Sequence, residues 1–232
     1  MTLEDLKILD FFNISLEKKE LFLKFASLLK DTNEKFNLTA IVDDQEIAEK
    51  HFFDSLVVLQ KHKFFSGTKV LDIGTGAGFP GIPLAIVCPD VDFYLLESSS
   101  KKCDFIKTVV NELKLNNVIV LNRRAEEIKS DERETFDFVI TRAMSEMRIL
   151  SELCAPYLKV NGLLIEYKGL NYNIELQKSF STNKILSMRL LDTYSYHLKQ
   201  SNQDRYIVSL QKMKKTPLNY PRNYSLIKKK SL

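Results

Sequence analysis

Three glycines at alternate positions follow a short apolar run that ends close to an acidic residue. Gly74, Gly76 and Gly78 come directly after residues 69–73, and Asp72 is the acid near the end of that run. Glycine lets the backbone adopt positive φ angles and lets a ligand approach the chain closely. The apolar segment that follows predicts a helix start, whose free N–H groups and positive dipole end attract polar ligand groups. The stretch therefore predicts a nucleotide-like ligand at the end of a first strand.

The glycine spacing by itself leaves two cofactors possible. Gly76, Gly78 and Gly81 fit the pattern G-x-G-x-x-G, which is typical of dinucleotide-binding sites. Asp72, two residues before Gly74, gives the longer pattern Asp-x-Gly-x-Gly-x-Gly. This pattern resembles motif I of the class I methyltransferases, which use S-adenosyl-L-methionine (AdoMet). The resemblance implies that the turn holds the amino acid end and the ribose of AdoMet.

A second acidic residue stands at the end of the next apolar run. Glu97 is the last residue of the segment 92–97. A carboxylate at this position can accept hydrogen bonds from both ribose hydroxyls of a cofactor. The alternative is that Glu97 only stabilises the start of the helix that follows. The ribose role suits NAD as well as AdoMet, so Glu97 does not separate the two cofactors.

From residue 68 onward, apolar runs typical of strands alternate with segments of helical periodicity. The predicted strands are residues 69–73, 92–97, 117–121, 136–141, 162–168, 185–192 and 204–211. The predicted helices are residues 81–88, 99–114, 146–158 and 172–179. This alternation predicts an α/β fold, with a mostly parallel sheet and helices on both faces. A short polar connection predicts that the last two strands are antiparallel. Such a seven-stranded sheet matches the Rossmann-like architecture of the class I methyltransferases.

The first 60 residues have helical periodicity throughout. Asp43 and Glu46 have the spacing of a capping box, which predicts a helix over residues 44–61. His51 lies on that helix, either as a packed histidine or as a contact to the substrate. We expect a single methyltransferase domain over residues 1–232. It divides into a helical N-terminal cap (1–62), an AdoMet-binding core (63–211) and a basic C-terminal tail (212–232).

The composition is that of a soluble globular protein. The chain is 44% hydrophobic and 28% charged, and no apolar run approaches the roughly 20 residues that span a membrane. Residues 1–5 do not have the layout of a signal peptide. The three cysteines are scattered and form no C-x-x-C pair, which predicts neither a disulfide framework nor a metal site. We therefore expect a cytoplasmic protein that needs no membrane and no metal.

Positive charge is concentrated at the C-terminal end. Residues 211–232 contain seven Lys or Arg residues and no Asp or Glu, although the net charge of the whole chain is only +4. A mildly acidic body with a basic tail indicates a polyanionic partner such as nucleic acid. The alternative is a solvated terminus that binds nothing.

Two further loops lie where a methyltransferase of this fold meets its ligands. In the loop after the third strand, residues 122–127, a backbone N–H can bond an adenine ring and Glu126 can accept from its exocyclic amine. The alternative is that these residues only form an exposed helix start. Arg142, after the fourth strand, can bind the cofactor carboxylate or a phosphate. The alternative is a surface salt bridge. The loop after the fourth strand lacks the Asn/Asp-Pro-Pro-Tyr/Phe motif of amine methyltransferases and the Pro-Cys of cytosine C5 enzymes. The absence argues against both of those reactions.

Six motifs, taken together and in chain order, resemble the ribosomal RNA small subunit methyltransferase G family, also called glucose-inhibited division protein B. They are Asn37–Ile41, His51–Leu56, Asp72–Pro83, Arg124–Glu126, Thr141–Ala143 and Tyr167–Gly169. The tail resembles the family less closely, because Tyr224–Ile227 stands where a Gly-Thr-Pro-Asn-like turn is usual. The resemblance implies methylation of N7 of one guanine in small-subunit (16S) ribosomal RNA. It also implies a cofactor site that includes Gly74, Phe79, Ala125, Glu126 and Arg142.

This reaction needs no general base. Guanine N7 has a free lone pair and no proton to lose, so the enzyme need only align the reacting atoms and exclude water. We therefore name no catalytic acid or base. Basic residues around the pocket and in the tail are expected to bind RNA phosphates, each steepening the salt dependence of binding. They are Arg123, Arg124, Arg148, Lys168, Lys214, Lys215 and Arg222.

Two other functions are compatible with parts of the sequence. An NAD-dependent oxidoreductase would use the glycine pattern and Glu97, but its Tyr-x-x-x-Lys spacing occurs only at Tyr224 and Lys228, in the tail. A non-catalytic RNA-binding assembly factor would explain the basic tail and the missing base. We expect the methyltransferase, acting as a monomer on small-subunit ribosomal RNA or on the small subunit itself.

Overall fold

A seven-stranded sheet forms the centre of the computed structural model, which describes residues 1–232. The strands are Lys69–Ile73 (β1), Asp92–Glu97 (β2), Val118–Asn122 (β3), Phe136–Arg142 (β4), Leu158–Lys168 (β5), Met188–Leu198 (β6) and Gln203–Lys212 (β7). Their order across the sheet is β3-β2-β1-β4-β5-β7-β6. β7 is antiparallel to β5 and to β6, and the other neighbours are parallel. The predicted sheet is therefore confirmed.

Helices cover both faces of the sheet. They are Leu16–Asn33 (α1), a helical run over residues 44–60 (α2), Gly81–Val87 (α3), Ser100–Glu112 (α4), Met147–Cys154 (α5), Tyr172–Ile185 (α6) and Tyr224–Lys229 (α7). A 3-10 helix, Asp5–Phe12, precedes α1. None of these helices combines the length and the apolarity needed to cross a membrane.

Each face of the sheet has its own hydrophobic core. The first core joins the N-terminal helices to the sheet and includes Phe22, Phe52 and Phe93. The second core lies under α5 and α7 and includes Tyr157 and Ile227. Because the central strands are buried on both faces, they are continuous apolar runs rather than alternating ones.

Helix α2 differs from the uniform helix predicted for residues 44–61. Asp43 caps its start as predicted, accepting from the Glu46 backbone N–H at 3.0 Å, although Glu46 does not return the bond that a capping box requires. Ile47–Phe53 is wound as a π-helix, and Val57–Gln60 as a 3-10 helix. π-helical turns occur frequently at functional sites, and this one contains His51.

The predicted boundaries were least accurate on either side of β5 and β6. The helix predicted at 172–179 continues to Ile185, so the strand predicted at 185–192 begins only at Met188 and extends to Leu198. Ser187, with a φ angle of 55°, turns the chain between the two elements. The helix predicted at 146–158 ends earlier, and β5 starts at Leu158 instead of residue 162.

The C-terminal segment, residues 213–232, packs against the second core. Ile227 is only 1% exposed there. Lys212, which the sequence analysis counted among the tail charges, is fully buried at the end of β7. Its ammonium group donates to Glu134 at 2.8 Å and to the carbonyl oxygens of Ala155 and Leu158 at 2.8 and 2.7 Å. The segment is therefore packed on the fold over part of its length, while Lys214 and Lys215 stay exposed.

Candidate active site

The glycine turn after β1 depends on backbone conformations that other residues rarely adopt. Gly74, Gly76 and Gly78 have φ angles of 72°, 62° and 94°. At Gly78 a Cβ atom would lie 2.6 Å from the Ile82 side chain. At Gly76 nothing lies within 4 Å of the Cβ position, so a side chain there would project into open space. The turn thus presents bare backbone to the cavity beside it.

Asp72 lies beneath this turn and shapes it. The residue is fully buried, and its Oδ2 atom accepts from the Thr75 hydroxyl at 2.7 Å and from the Gly81 N–H at 2.9 Å. Burial raises the pKa of the Asp72 carboxyl to about 7, against the lowering effect of these two hydrogen bonds. We predicted that Asp72 binds the cofactor, but the structure places it out of reach of the cavity, as a residue that positions the turn.

The cofactor cavity, as we call it, has a volume of about 340 Å³ and lies along the carboxyl ends of β1, β2 and β3. Its lining residues are Gly74, Gly76, Leu96, Glu97, Ser98, Lys102, Arg123, Arg124, Ala125, Ala143, Met144 and Tyr224. Of the nine predicted cofactor residues, Gly74, Gly76, Glu97 and Ala125 line it. The carboxyl edge of a parallel sheet, where this cavity lies, is the usual place for a nucleotide-like ligand.

Glu97 is held in place by the backbone on either side of it. Its Oε2 atom accepts from the Gly76 N–H at 3.1 Å, and its Oε1 atom accepts from the Ser99 N–H at 2.8 Å. A carboxylate offers about four lone-pair positions. The Ser98 hydroxyl also donates to Oε1, at 3.4 Å. Acceptor capacity is therefore left for a ribose hydroxyl in the cavity.

The loop after β3 forms the far end of the cofactor cavity. Tyr157 donates to the carbonyl oxygen of Ala125 at 2.8 Å and fixes the loop from below. Glu126 lies in an adjoining groove, where Arg124 is 3.9 Å away. Ala125 is thus at the position predicted for an adenine contact, and Glu126 is beside the cavity rather than in it.

Phe79 and Gly78 also lie away from the cofactor cavity. Phe79 is 5% exposed and stacks on the His51 ring, with 4.3 Å between the ring centroids and 9° between the planes. It also stacks on Phe25 at 5.1 Å. The turn is thereby packed against α1 and α2, which fixes where those helices meet the site.

A second cavity, of about 570 Å³, lies beside the first on the α2 side. It is lined by Ile41, Lys50, His51, Asp54, Arg142, Ala143, Met144, Ser145, Glu146, Tyr167, Lys168, Gly169, Glu175, Tyr196 and Arg205. These residues come from the N-terminal helices, the ends of β4 and β5, α6 and the β6–β7 hairpin. Most of them are polar or charged, unlike the lining of a pocket for an apolar ligand.

Arg142 lies in this second cavity and not in the cofactor cavity, where we had predicted it. Its guanidinium donates to Asp54 at 2.7 Å and to the Lys50 carbonyl oxygen at 3.0 Å. The other carboxylate oxygen of Asp54 accepts from the Tyr196 hydroxyl at 2.6 Å. The ion pair is almost completely buried, so removing either partner would leave an uncompensated buried charge.

His51 is packed, which was one of the two predicted alternatives, and it also lines the second cavity. Its Nε2 atom is 3.0 Å from the Thr39 hydroxyl, and its ring is 8% exposed. Burial, together with the positive charges of Arg142 and Lys50, lowers the pKa of His51 to about 3. The ring is therefore neutral at physiological pH and is a very weak base.

Lys168 is restrained by carboxylates on the other side of the second cavity. Its ammonium group donates to Glu175 at 2.8 Å and to the Ser145 carbonyl oxygen at 2.9 Å, and lies 3.2 Å from Glu166. Burial raises the pKa of Glu166 to about 7, although Lys168 opposes the shift. Lys168, which was predicted to bind RNA, thus faces the second cavity but is not a free cation.

The two cavities meet at Ala143 and Met144, which line both of them. Ala143 has a φ angle of 53°, a left-handed conformation that is strained for alanine. The Met144 sulfur would lie 2.9 Å from a Cβ atom at Gly74. A group transferred between molecules in the two cavities would pass this point.

Several residues predicted to bind RNA are engaged within the chain. Arg123 pairs with Glu132. Arg222 forms a two-pronged pair with the buried Glu152, at 2.7 and 2.6 Å. Arg148 donates to carbonyl oxygens of α7, at 3.1 Å in the case of Ile227. These arginines hold the fold together, so the charge count along the sequence overstated the number of free cations.

Lys214 and Lys215 are exposed, but they lie at the amino ends of the parallel strands, whereas both cavities lie at the carboxyl ends. β7 runs antiparallel to β5, so its last residues pair with the start of β5, as Gln211 does with Leu163. The cavities lie at the other end of β5, beyond Lys168. Of the predicted RNA-binding residues, Arg124 is exposed at the rim of the cofactor cavity, with 62% of its side chain accessible.

The residues that line the cofactor cavity fit AdoMet. Gly76 leaves open the space that a side chain would fill, and Glu97 offers acceptors for a ribose at the middle of the cavity. No three His, Cys, Asp or Glu side chains cluster in a way that could hold a metal ion. The sheet order and this cavity together define the protein as an AdoMet-dependent class I methyltransferase.

Comparison with known proteins agrees with this class. The family described as rRNA small subunit methyltransferase G matches residues 18–208. Ribosomal RNA small subunit methyltransferase G of Clostridium beijerinckii is 39% identical over 218 residues, 93% of this chain and 91% of that protein. The protein of the same name from Fusobacterium nucleatum subsp. nucleatum is 44% identical over 215 residues, 93% of this chain and 92% of that one.

A solved structure of a SAM-dependent methyltransferase from Aquifex aeolicus shares the fold, with a TM-score of 0.57 and 22% identity, over 79% of this chain and 98% of that one. The chain belongs to the rRNA small subunit methyltransferase G family. The resemblance seen in the six sequence motifs is confirmed. The oxidoreductase alternative is wrong, because the glycine pattern on which it depended belongs to a methyltransferase.

Proposed function

We propose that this protein transfers the methyl group of AdoMet to N7 of one guanine in small-subunit ribosomal RNA. The names of its relatives support RNA of the small subunit as the substrate. The two adjoining cavities support a reaction geometry in which AdoMet lies in the cofactor cavity and the target guanine lies in the second cavity. We propose further that the protein acts in the cytoplasm as a monomer.

AdoMet, when bound, supplies a methyl group on a positively charged sulfur. The N7 lone pair forms the new N–C bond while the S–C bond breaks, and its electron pair returns to sulfur. The positive charge passes to the guanine ring, and no proton is transferred. The protein contributes alignment and exclusion of water, which can be worth roughly 7–11 kcal/mol of the barrier.

The observation that favours N7 over an amine or hydroxyl is that the carboxylates and the histidine of the second cavity are already engaged within the protein. Glu146 accepts from Arg148 at 3.0 Å. The Asp54 carboxylate is bound by Arg142 and Tyr196. The lowered pKa of His51, about 3, makes its ring a poor base. Glu175 accepts from Lys168. An acceptor atom that must lose a proton would compete with these contacts for a base, whereas N7 needs none.

The test uses purified protein, AdoMet with a labelled methyl group, and small subunits from a strain that lacks the enzyme. RNA extracted from those subunits is a second substrate. The product RNA is digested and its nucleosides are identified by mass. A matched control is RNA transcribed with 7-deazaguanosine, which keeps every base-pairing group of guanine and lacks only N7.

We expect labelled 7-methylguanosine from at least one natural substrate and no label on the 7-deaza transcript. Label on another nucleoside would overturn the choice of N7. Confirmed AdoMet binding without any transfer would favour the non-catalytic assembly factor. The better natural substrate shows whether the enzyme acts on folded ribonucleoprotein or on RNA alone.

A further inference from the structure

The C-terminal segment runs from the amino ends of the parallel strands to their carboxyl ends. It begins at the edge away from the cavities, where the Thr216 hydroxyl donates to the Ala155 carbonyl oxygen at 3.2 Å. Arg133 then donates to the carbonyl oxygens of Pro217 and Tyr220, at 3.3 and 2.9 Å. The remainder is held by Arg148, which donates to the Ile227 carbonyl oxygen, and by Glu152, which accepts from Arg222. Side chains of the core thus direct this segment towards the cofactor cavity.

The segment reaches the cavity at Tyr224, the first residue of α7. Asn223 caps the helix by accepting from the Ser225 N–H at 3.0 Å. Ile227, one turn further along α7, is buried in the second core and is anchored through its carbonyl oxygen to Arg148. Tyr224 lines the cofactor cavity and also the adjoining groove beside Arg124. The position of Tyr224 is therefore set by the Asn223 cap before it and by the buried Ile227 after it.

The order of the lining residues shows which end of the cofactor Tyr224 faces. Gly74 and Gly76 lie at one end of the cavity, after β1, and Glu97 lies in the middle, after β2. Ala125 lies at the other end, after β3. A groove next to this last end is shared by Arg124 and Tyr224. With the ribose at Glu97, the base of the cofactor lies between the β3 loop and Tyr224.

We propose that the ring of Tyr224 packs against the adenine of AdoMet, so that the C-terminal segment forms one wall of the cofactor site. This inference rests on the proposed placement of AdoMet in the cofactor cavity. It assigns the segment to the cofactor, where its charge had pointed to RNA. Aromatic rings stack readily on any base because every base has a π-face.

The test measures binding by calorimetry with the full-length protein and three probes: AdoMet, its demethylated product S-adenosyl-L-homocysteine, and adenosine alone. The variants are Tyr224→Ala, Tyr224→Phe and Tyr224→Leu, with Leu226→Ala as a control. Leu226 is on the same helix but is 54% exposed and lines no part of the cavity. Thermal unfolding without ligand establishes that each variant is folded. Tyr224→Leu removes the aromatic ring but keeps an apolar side chain at this position, so it replaces Tyr224→Ala if that variant is unstable.

We expect Tyr224→Ala to weaken all three probes by about tenfold, in keeping with the loss of one base–aromatic stack. Tyr224→Leu is expected to weaken them as well, and Tyr224→Phe and Leu226→Ala to stay within about twofold of the wild type. Wild-type affinity for adenosine in folded Tyr224→Ala and Tyr224→Leu would overturn the proposal. If Gly76→Ala weakened AdoMet while these variants did not, the cavity assignment would stand and only the role of Tyr224 would fail.

Discussion

The cofactor cavity and the second cavity lie side by side, but they are built in different ways. The cofactor cavity takes most of its lining from backbone and from side chains at the ends of β1, β2 and β3. The second cavity takes charged side chains from elements far apart in the chain, with Arg142 bonded to α2 and to the hairpin through Asp54. The first site therefore depends on local chain geometry, and the second depends on tertiary packing of charges.

This difference predicts that the two cavities fail in different ways when they are altered. A change in the glycine turn alters the shape of a surface that the ligand touches. A change in the second cavity leaves a buried charge without its partner and lowers the stability of the fold. The point of contact between them, Ala143 and Met144, is the one place where both effects are expected together.

The largest effect is expected at the buried ion pair. Arg142→Met leaves Asp54 without its cation, which typically costs about 3–5 kcal/mol of unfolding free energy. The double variant with Asp54→Asn should recover a large part of that loss, because no unpaired charge remains. Urea unfolding of the two single variants and the double variant measures the coupling.

The same proteins test where Arg142 acts. If it belongs to the second cavity, folded Arg142→Met should bind AdoMet within about twofold of the wild type and lose methyl transfer. Loss of AdoMet binding in the folded variant would return Arg142 to the cofactor site predicted from the sequence.

The glycine turn gives the next largest effect, and the chain offers a matched control. Gly76 and Gly67 both have positive φ angles, 62° and 77°, and both have open space at the Cβ position. Alanine at either position should lower stability by a similar amount, about 1–2 kcal/mol. Only Gly76 lines the cofactor cavity, so Gly76→Ala should also weaken AdoMet by about tenfold or more, as a methyl group displaces the ligand. Equal AdoMet affinity in the two variants, measured by calorimetry, would contradict our placement of the cofactor.

Asp72 should make stability depend on pH. Its raised pKa of about 7 means that the folded state holds a proton that the unfolded state releases at about pH 4. The unfolding free energy should therefore fall as the pH rises from about 4 to 7. Asp72→Asn should flatten this slope, by up to about 1.4 kcal/mol per pH unit. Urea unfolding at a series of pH values, with Asp90→Asn at an exposed site as the control, measures the difference; identical slopes would refute it.

The smallest effect is expected for RNA binding outside both cavities. Arg124→Ala removes an exposed cation at the rim of the cofactor cavity and should lower the salt slope of RNA binding by about 0.7, the value for one phosphate on a single strand. Lys214→Ala with Lys215→Ala, at the far edge of the sheet, should change the slope less despite removing two charges. RNA affinity at several salt concentrations, with S-adenosyl-L-homocysteine saturating, makes the comparison. The reverse order would show that RNA extends across that edge.

The amino-acid sequence by itself determined the sheet, the glycine turn and the acid at the end of β2. These features depend on apolar runs, on glycine and on residues close together in the chain, which is the range over which a sequence pattern is informative. It also determined the family, because six motifs in the same order along the chain identify a family, whereas a single motif occurs in several families. The charge pattern indicated a basic tail that binds a polyanion. Only the fold paired Arg148 and Arg222 with partners about 70 to 80 residues away along the chain.

Tertiary structure alone decided which predicted residues line the cofactor cavity. Asp72, Phe79 and Arg142 were all predicted at the cofactor, and packing put the first beneath the turn, the second against His51 and the third in the neighbouring cavity. It also brought Tyr224, from a segment that resembles the family only loosely, to the wall of the cofactor site. The physical reason is that burial and ion pairing act between residues that are distant in the sequence. No local pattern records which charge a fold will neutralise or which ring it will place over a cavity.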